Sequence, residues 1–226
     1  MAHRRVIGLA KASHFGPTVL VTSISLFFAQ LFWWEGPSIL IAFAVFTGQL
    51  VVGWSNDLID YHDDLSHQRL KKPLVAGLIT PKFLMSWLRV MVPIALITNL
   101  FGPLGLIGGG LSIFAIGWAV AYNFYFKFTA LSPLPYAIAF GALPSCMALS
   151  KDYAPPIWMW LGGALLGVAA HFINVIKDMD QDRTSGINGL PQRCGKGASI
   201  AIATLFIALA VTVVLLSDLT LPAVAP

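Results

Sequence analysis

The chain has 226 residues, 57% of them hydrophobic and only 11% charged, with a formal net charge of +4. Soluble domains carry about 25% charged residues, so this composition excludes a water-soluble globular domain and specifies an integral membrane protein. No basic helix or RNA-type motif accompanies the positive balance, which excludes a nucleic-acid partner, and Cys146 and Cys194 have no metal-ligand spacing.

Arg4, Arg5 and Lys11 precede the first apolar run, Pro17–Trp34. That run is longer than a signal-peptide core and no A-x-A-type site follows it, so it reads as a retained helix. A spanning helix needs roughly 20 mostly apolar residues. Six more candidates follow: Pro37–Trp54, Phe83–Phe101, Pro103–Tyr125, Pro133–Ser150, Pro156–Ile176 and Ala198–Ser217. The expected fold is an all-α membrane bundle of about seven transmembrane helices, forming one domain over residues 1–226. Pro and Gly punctuate most junctions ("WWEGPS", "LFGPLG", "LSPLP", "DYAPPI"), as in short hairpin loops. Two connections, near 55–82 and 177–197, are longer and polar. Placing the N-terminus in the cytoplasm puts nearly all Lys and Arg on the inner side and leaves Lys151 outside, with Arg89 inside the third span. Both polar loops and Lys127 then face the cytoplasm.

The first polar loop opens with "NDLIDYHDD", which holds four of the chain's ten acidic residues. The second opens with "NVIKDMDQD". Asn56, Asp60 and Asp64 are spaced i, i+4, i+8, and so are Asn174, Asp178 and Asp182. On an α-helix each trio lines one face, with about 40° of drift per step. Two carboxylates about 5 Å apart repel by about 3 kcal/mol at an effective dielectric near 20, so converging acids need bound cations or protons. Asn and Asp are hard oxygen ligands suited to Mg²⁺, which shares its shell with substrate phosphates. Arg69, Lys72, Lys127 and Arg183 would suit those phosphates. The arrangement suggests two acidic walls facing a metal-bridged diphosphate.

Other readings compete. Acidic loops can be solvated surface alone. "DMDQD" opens like an EF-hand, but Arg183 stands where that loop needs Gly and Gly189 where it needs Glu. A non-enzymatic divalent-cation-binding protein or transporter also uses membrane acids, although these acids lie at helix ends beside basic residues.

"NDLIDYHDD" resembles the N-D-x-x-D-x-x-x-D signature of the UbiA superfamily of intramembrane prenyltransferases. "KKPLVAG" resembles that family's R-P-L-x-x-G element, "NVIKDMDQDRTSG" its second aspartate-rich motif, and "AYNFYFK" its Tyr-and-Lys stretch. The resemblance implies Mg²⁺-dependent transfer of a prenyl group from a polyprenyl diphosphate to a small acceptor, an aromatic or a quinone precursor. It implies Mg²⁺ ligands at Asn56, Asp57, Asp60 and Asp64, and at Asn174, Asp178 and Asp182. Asp60, Asp178 and Lys127 would be catalytic. Lys11, Arg69, Lys72, Tyr122, Lys127 and Arg183 would bind substrate, and Tyr122, Tyr125, Trp54 or Phe172 could face the allylic cation. His171, one turn before Asn174, could be a base or a supporting donor. The family generally has nine helices, so this chain is expected to be short at its C-terminus; a member that binds prenyl diphosphate without turnover is a further alternative. Lys72 replaces the arginine of R-P-L and loses its bidentate phosphate geometry.

Overall fold

The computed structural model describes residues 2–221, which contain α-helices and no β-strand. In chain order they are α1 (Ala2–Ala12), α2 (Phe15–Gln30), α3 (Glu35–Ile59), α4 (Tyr61–Ser66), α5 (Pro81–Leu100), α6 (Gly105–Phe124), α7 (Leu134–Leu149), α8 (Gly163–Ile176), α9 (Met179–Thr184), α10 (Leu190–Cys194) and α11 (Lys196–Leu216). A π-helical turn, Trp158–Gly162, runs straight into α8.

Each expected span is helical, but two differ from a full crossing. By length and apolarity, α3, α5, α6, α11 and the joined Trp158–Ile176 can each cross a membrane, among the described residues. α2 passes that test only together with α1, from which it bends by 66°. The bend falls at His14, whose φ of 54° is left-handed and ends the helical run. α7 has 16 residues, about 24 Å at 1.5 Å per residue, somewhat short of a ~30 Å hydrocarbon layer.

The helices follow one another around the bundle. α2 packs on α3, α3 on α5 and α6, α6 on α7, α7 on α8, and α8 on α11. α3 is the innermost, whereas α5, α6 and α11 leave most of their apolar surface outward, as helices bathed in lipid do.

Small residues and buried amides hold these contacts, as expected where apolar burial alone gives little drive between helices. A Cβ on Gly167 would lie 2.3 Å from the Tyr136 carbonyl oxygen, and one on Gly163 2.5 Å from that of Phe140, so α7 and α8 touch backbone to backbone. Asn99 on α5 donates to the Ala44 carbonyl on α3 at 3.1 Å and accepts from Ser112 on α6 at 2.7 Å.

The two ends of the bundle are closed differently. At one end Ala29, Phe32, Ile41, Cys146, Met147 and Met159 form an apolar plug. At the other, the segment after α4 folds back so that Leu74 and Ile79 join Ala12, Leu50, Trp54 and Leu84. α1 lies close over it, since a Cβ on Gly8 would meet Ile79 at 2.6 Å. This packing turns a polar-looking connection into a fixed platform beside the acidic cluster.

Candidate active site

The first acidic cluster straddles the junction of α3 and α4. Helical hydrogen bonding continues across it: Asp60 N donates to the Asn56 carbonyl at 2.9 Å and Asp64 N to the Asp60 carbonyl at 2.8 Å. The i, i+4, i+8 face expected from the sequence therefore survives the break. In the second cluster Asp178 N bonds to the Val175 carbonyl at 3.1 Å, a tighter i−3 turn, before Asp182 N returns to the Asp178 carbonyl at 2.8 Å.

Basic groups from three places neutralise the first cluster. Lys72 Nζ donates to Asp57 Oδ1 at 2.8 Å and lies 3.8 Å from Asp64 Oδ2. Arg69 Nη1 donates to Asp64 Oδ1 at 2.8 Å. Lys127, in the 3₁₀ turn after α6, is buried and paired with Asp60. Asp57 and Asp64 are each 2% exposed, so their charges need these partners. Burial lifts the Asp64 carboxyl above its ordinary range despite Lys72 and Arg69. Burial likewise lowers Lys72, but Asp57, Asp64 and Asp60 outweigh it and hold the ammonium above its usual range.

The second cluster is more open. Asn174 and Asp178 are exposed, and Asn174 donates to the Tyr136 hydroxyl at 3.4 Å. Asp178 has no ion pair among the described residues. Asp182 accepts from Gln192 Nε2 at 2.9 Å. Its carboxyl is raised by burial and by Asp178, against the pull of Gln192, Arg69 and Lys127.

The two clusters lie at the same end of the bundle and are joined. Arg69, bound to Asp64, also donates to Ser185 just beyond α9. Tyr122 precedes Asn123, which accepts from Asn56 in the first cluster, and the hydroxyl of its ring neighbour Tyr136 accepts from Asn174 in the second. Tyr122 packs edge-on to Tyr136 with centroids 5.3 Å apart and to His171 at 5.6 Å. An apolar groove of about 420 Å³ lies among α6, α7 and α8, lined by Leu111, Ala137, Gly141, Ser145, Trp160 and Ala164. Leu111 lies eleven residues before Tyr122, and Ala164 seven before His171. At about 100° per residue each pair shares a helix face, so the groove runs along the stripes that carry Tyr122 and His171.

The sequence matches the model of the UbiA prenyltransferase family over residues 16–226. The chain belongs to that family. A solved structure from work on digeranylgeranylglyceryl phosphate synthase in membranes has the same fold, with a TM-score of 0.69 and 17% identity. The match covers 92% of this chain and 76% of that one. No curated protein matches the sequence. This UbiA-family chain is a multi-pass membrane protein whose general chemistry is prenyl transfer.

Among the described residues, no three His, Cys, Asp or Glu side chains are grouped as a ready metal cage. The donor set nevertheless suits Mg²⁺, which typically takes one or two protein carboxylates and completes its shell with water and phosphate. It is all oxygen and amide, and the buried Asp57 Oδ2 has no hydrogen-bond partner. Asn56 spends its amide nitrogen on Asp60 at 3.1 Å and Asn123 at 3.2 Å, leaving its oxygen for a ligand.

Not every expected residue reaches this place. Lys11 is exposed at the end of α1 and has no ion pair among the described residues. His14 reaches Asp57 instead, with Nε2 3.2 Å from Oδ1. Arg183 donates to the Gln192 carbonyl at 2.7 Å, fastening α9 to α10. Trp54 is committed to the Leu9 carbonyl, Phe172 is core, and Tyr125 is 62% exposed, so Tyr122 alone of the four aromatics lies between the clusters. His171 lies 3.0 Å from Ser132 Oγ, which accepts from Leu190 N at 2.9 Å. It thus supports the second loop. His14 and Ser132 carried no sequence signal, and Asn123, Ser185 and Gln192 none for a role of their own, because most are recruited over a long stretch of chain.

Proposed function

We propose that this protein transfers a prenyl group from a polyprenyl diphosphate to an electron-rich acceptor, an aromatic or a quinone precursor, inside the membrane, with Mg²⁺ as cofactor. The observation that carries this reading is the joining of two Asn/Asp clusters at one end of a helix bundle whose α6, α7 and α8 line an apolar groove. Asn56, Asp57, Asp60 and Asp64 would hold one ion, and Asn174, Asp178 and Asp182 the other. Bound there, Mg²⁺ supplies Lewis-acid neutralisation of the diphosphate leaving group.

Lys127, Lys72 and Arg69 have a second task in this scheme. They balance the carboxylates in the resting arrangement, and they turn to phosphate oxygens when diphosphate is present. The prenyl tail lies in the groove along α6, α7 and α8. The allylic C–O bond breaks with its electron pair going to the diphosphate oxygen. The Tyr122 face stabilises the resulting cation, and the apolar walls keep water from it. The acceptor attacks the cation, and its displaced proton passes to a diphosphate oxygen. Both clusters face the cytoplasm in this scheme, in keeping with the Lys and Arg distribution.

The test is pyrophosphate release in purified membranes, with geranyl, farnesyl and longer diphosphates, a panel of aromatic acceptors, and Mg²⁺ present or withheld. Release should require Mg²⁺ and fall at least about 100-fold in Asp60→Asn and in Asp178→Asn, since ionic stabilisation of this kind contributes several kcal/mol. Mg²⁺-independent release, or full activity in both variants, would overturn the reading. Prenyl diphosphate binding without release by any donor and acceptor would favour a non-catalytic binder.

A further inference from the structure

Arg89 is an anomaly that the reaction does not use. It lies on α5, a helix long and apolar enough to cross the membrane and mostly unburied by the rest of the chain. It follows Pro81 by eight residues, about 12 Å of helical rise. A charge at that depth is expensive unless it snorkels or meets a counter-charge. Neither Arg89 nor Lys82, one face and two turns below it, has an ion pair among the described residues.

The two cations share a cavity. Lys82, Met85 and Arg89 recur at i, i+3 and i+7, so they form one stripe. With Pro81 and Leu58 from α3 they line a groove of about 450 Å³, within the range of small-ligand sites. Two cations stand above an apolar floor of Leu58, Pro81 and Met85. The acids nearest this groove in sequence, Asp57, Asp60 and Asp64, are already matched by Lys72, Lys127 and Arg69. The groove therefore presents unneutralised positive charge beside the lipid headgroups, whose phosphates Lys82 meets directly and Arg89 reaches by snorkelling. From this charge complementarity we infer that the α3–α5 groove binds an anionic phospholipid, its phosphate between Lys82 and Arg89 and its acyl chain along the outward face of α5. Met85 and the exposed Val92 and Leu96, on the same stripe, would contact that chain.

The experiment uses the full chain in nanodiscs of equal phosphatidylglycerol and phosphatidylcholine, with retained lipids counted by native mass spectrometry. Wild type should keep phosphatidylglycerol in excess. Lys82→Gln/Arg89→Gln should lose at least about fivefold of that retention while phosphatidylcholine is unchanged. A matched pair elsewhere, Lys177→Gln/Lys196→Gln, should lose none. Met85→Trp, which fills the groove and keeps both charges, should also lower retention, and it gives an independent reading if the double variant folds poorly. Equal retention in wild type and both groove variants would overturn the proposal, and so would equal loss in the matched pair. Displacement of the lipid by millimolar inorganic phosphate would identify a free-anion site instead and would also overturn it. The readout is lipid binding, so it stands apart from whether prenyl transfer is observed.

Discussion

Asp57 and Lys72 illustrate how much one residue carries here. Asp57 is 2% exposed and Lys72 is its 2.8 Å partner. Removing the ammonium in Lys72→Met strands a buried carboxylate, which should cost about 1–3 kcal/mol, seen as a lower unfolding midpoint in detergent. Because Lys72 titrates above its ordinary value, its contribution is fully present below the unfolded lysine pKa and is lost as pH rises through the folded one. The wild-type advantage should therefore persist through neutral pH and close only in strong alkali. Asp182 has the opposite sign: its carboxyl is raised, so ionising it opposes folding. Its stabilising contribution is complete below the unfolded carboxylate pKa and lost as pH rises through the folded value. Asp182→Asn should unfold at a higher temperature than wild type at neutral pH, with the gap shrinking as pH falls toward the carboxylate range. Its Mg²⁺-dependent release should fall meanwhile. A lower midpoint at neutral pH would contradict this assignment.

Whole elements set the spacing between the clusters. α7 and α8 meet through Gly163 and Gly167, where a Cβ would come within 2.5 Å and 2.3 Å of a carbonyl oxygen. Gly167→Leu must push α8 outward, and overpacking of this kind costs roughly 1–3 kcal/mol. The same shift carries Asn174 and Asp178 away from Asp60, so activity should fall further than the loss of folded protein explains. Thermal unfolding and specific activity measured on the same preparation separate the two effects. Arg69 links α4 to the segment after α9. Arg69→Ala should raise KM for the prenyl diphosphate more than it lowers kcat, because it loosens the cradle and leaves the first-cluster pairs of Lys72 and Lys127 in place.

For the molecule as a whole, the proposed reaction makes the groove along α6, α7 and α8 the limit on which donor fits. Ala164 and Ala137 line it. Ala164→Phe should shift preference toward shorter prenyl diphosphates, read as the ratio of kcat/KM for geranyl and farnesyl donors. An unchanged ratio would place the tail elsewhere.

The sequence by itself determined the helical class, the approximate span positions and the repeated Asn–Asp–Asp spacing. These depend on local composition and on a helix's 3.6-residue period, which survives in α3–α4 even across Asp60. It also contained the cations Arg69, Lys72 and Lys127, since charges are conspicuous in so apolar a chain. Only the tertiary structure decided which cation meets which acid, and that His14 rather than Lys11 reaches Asp57. The same holds for Arg183, which ties loops together while Arg69 bridges the clusters. The 66° bend at His14 before α2 and the 16-residue length of α7 likewise emerged only in the folded chain. The physical reason is range: periodicity is written in neighbouring residues, whereas a buried charge takes its partner from whatever the folded chain brings within a few ångströms.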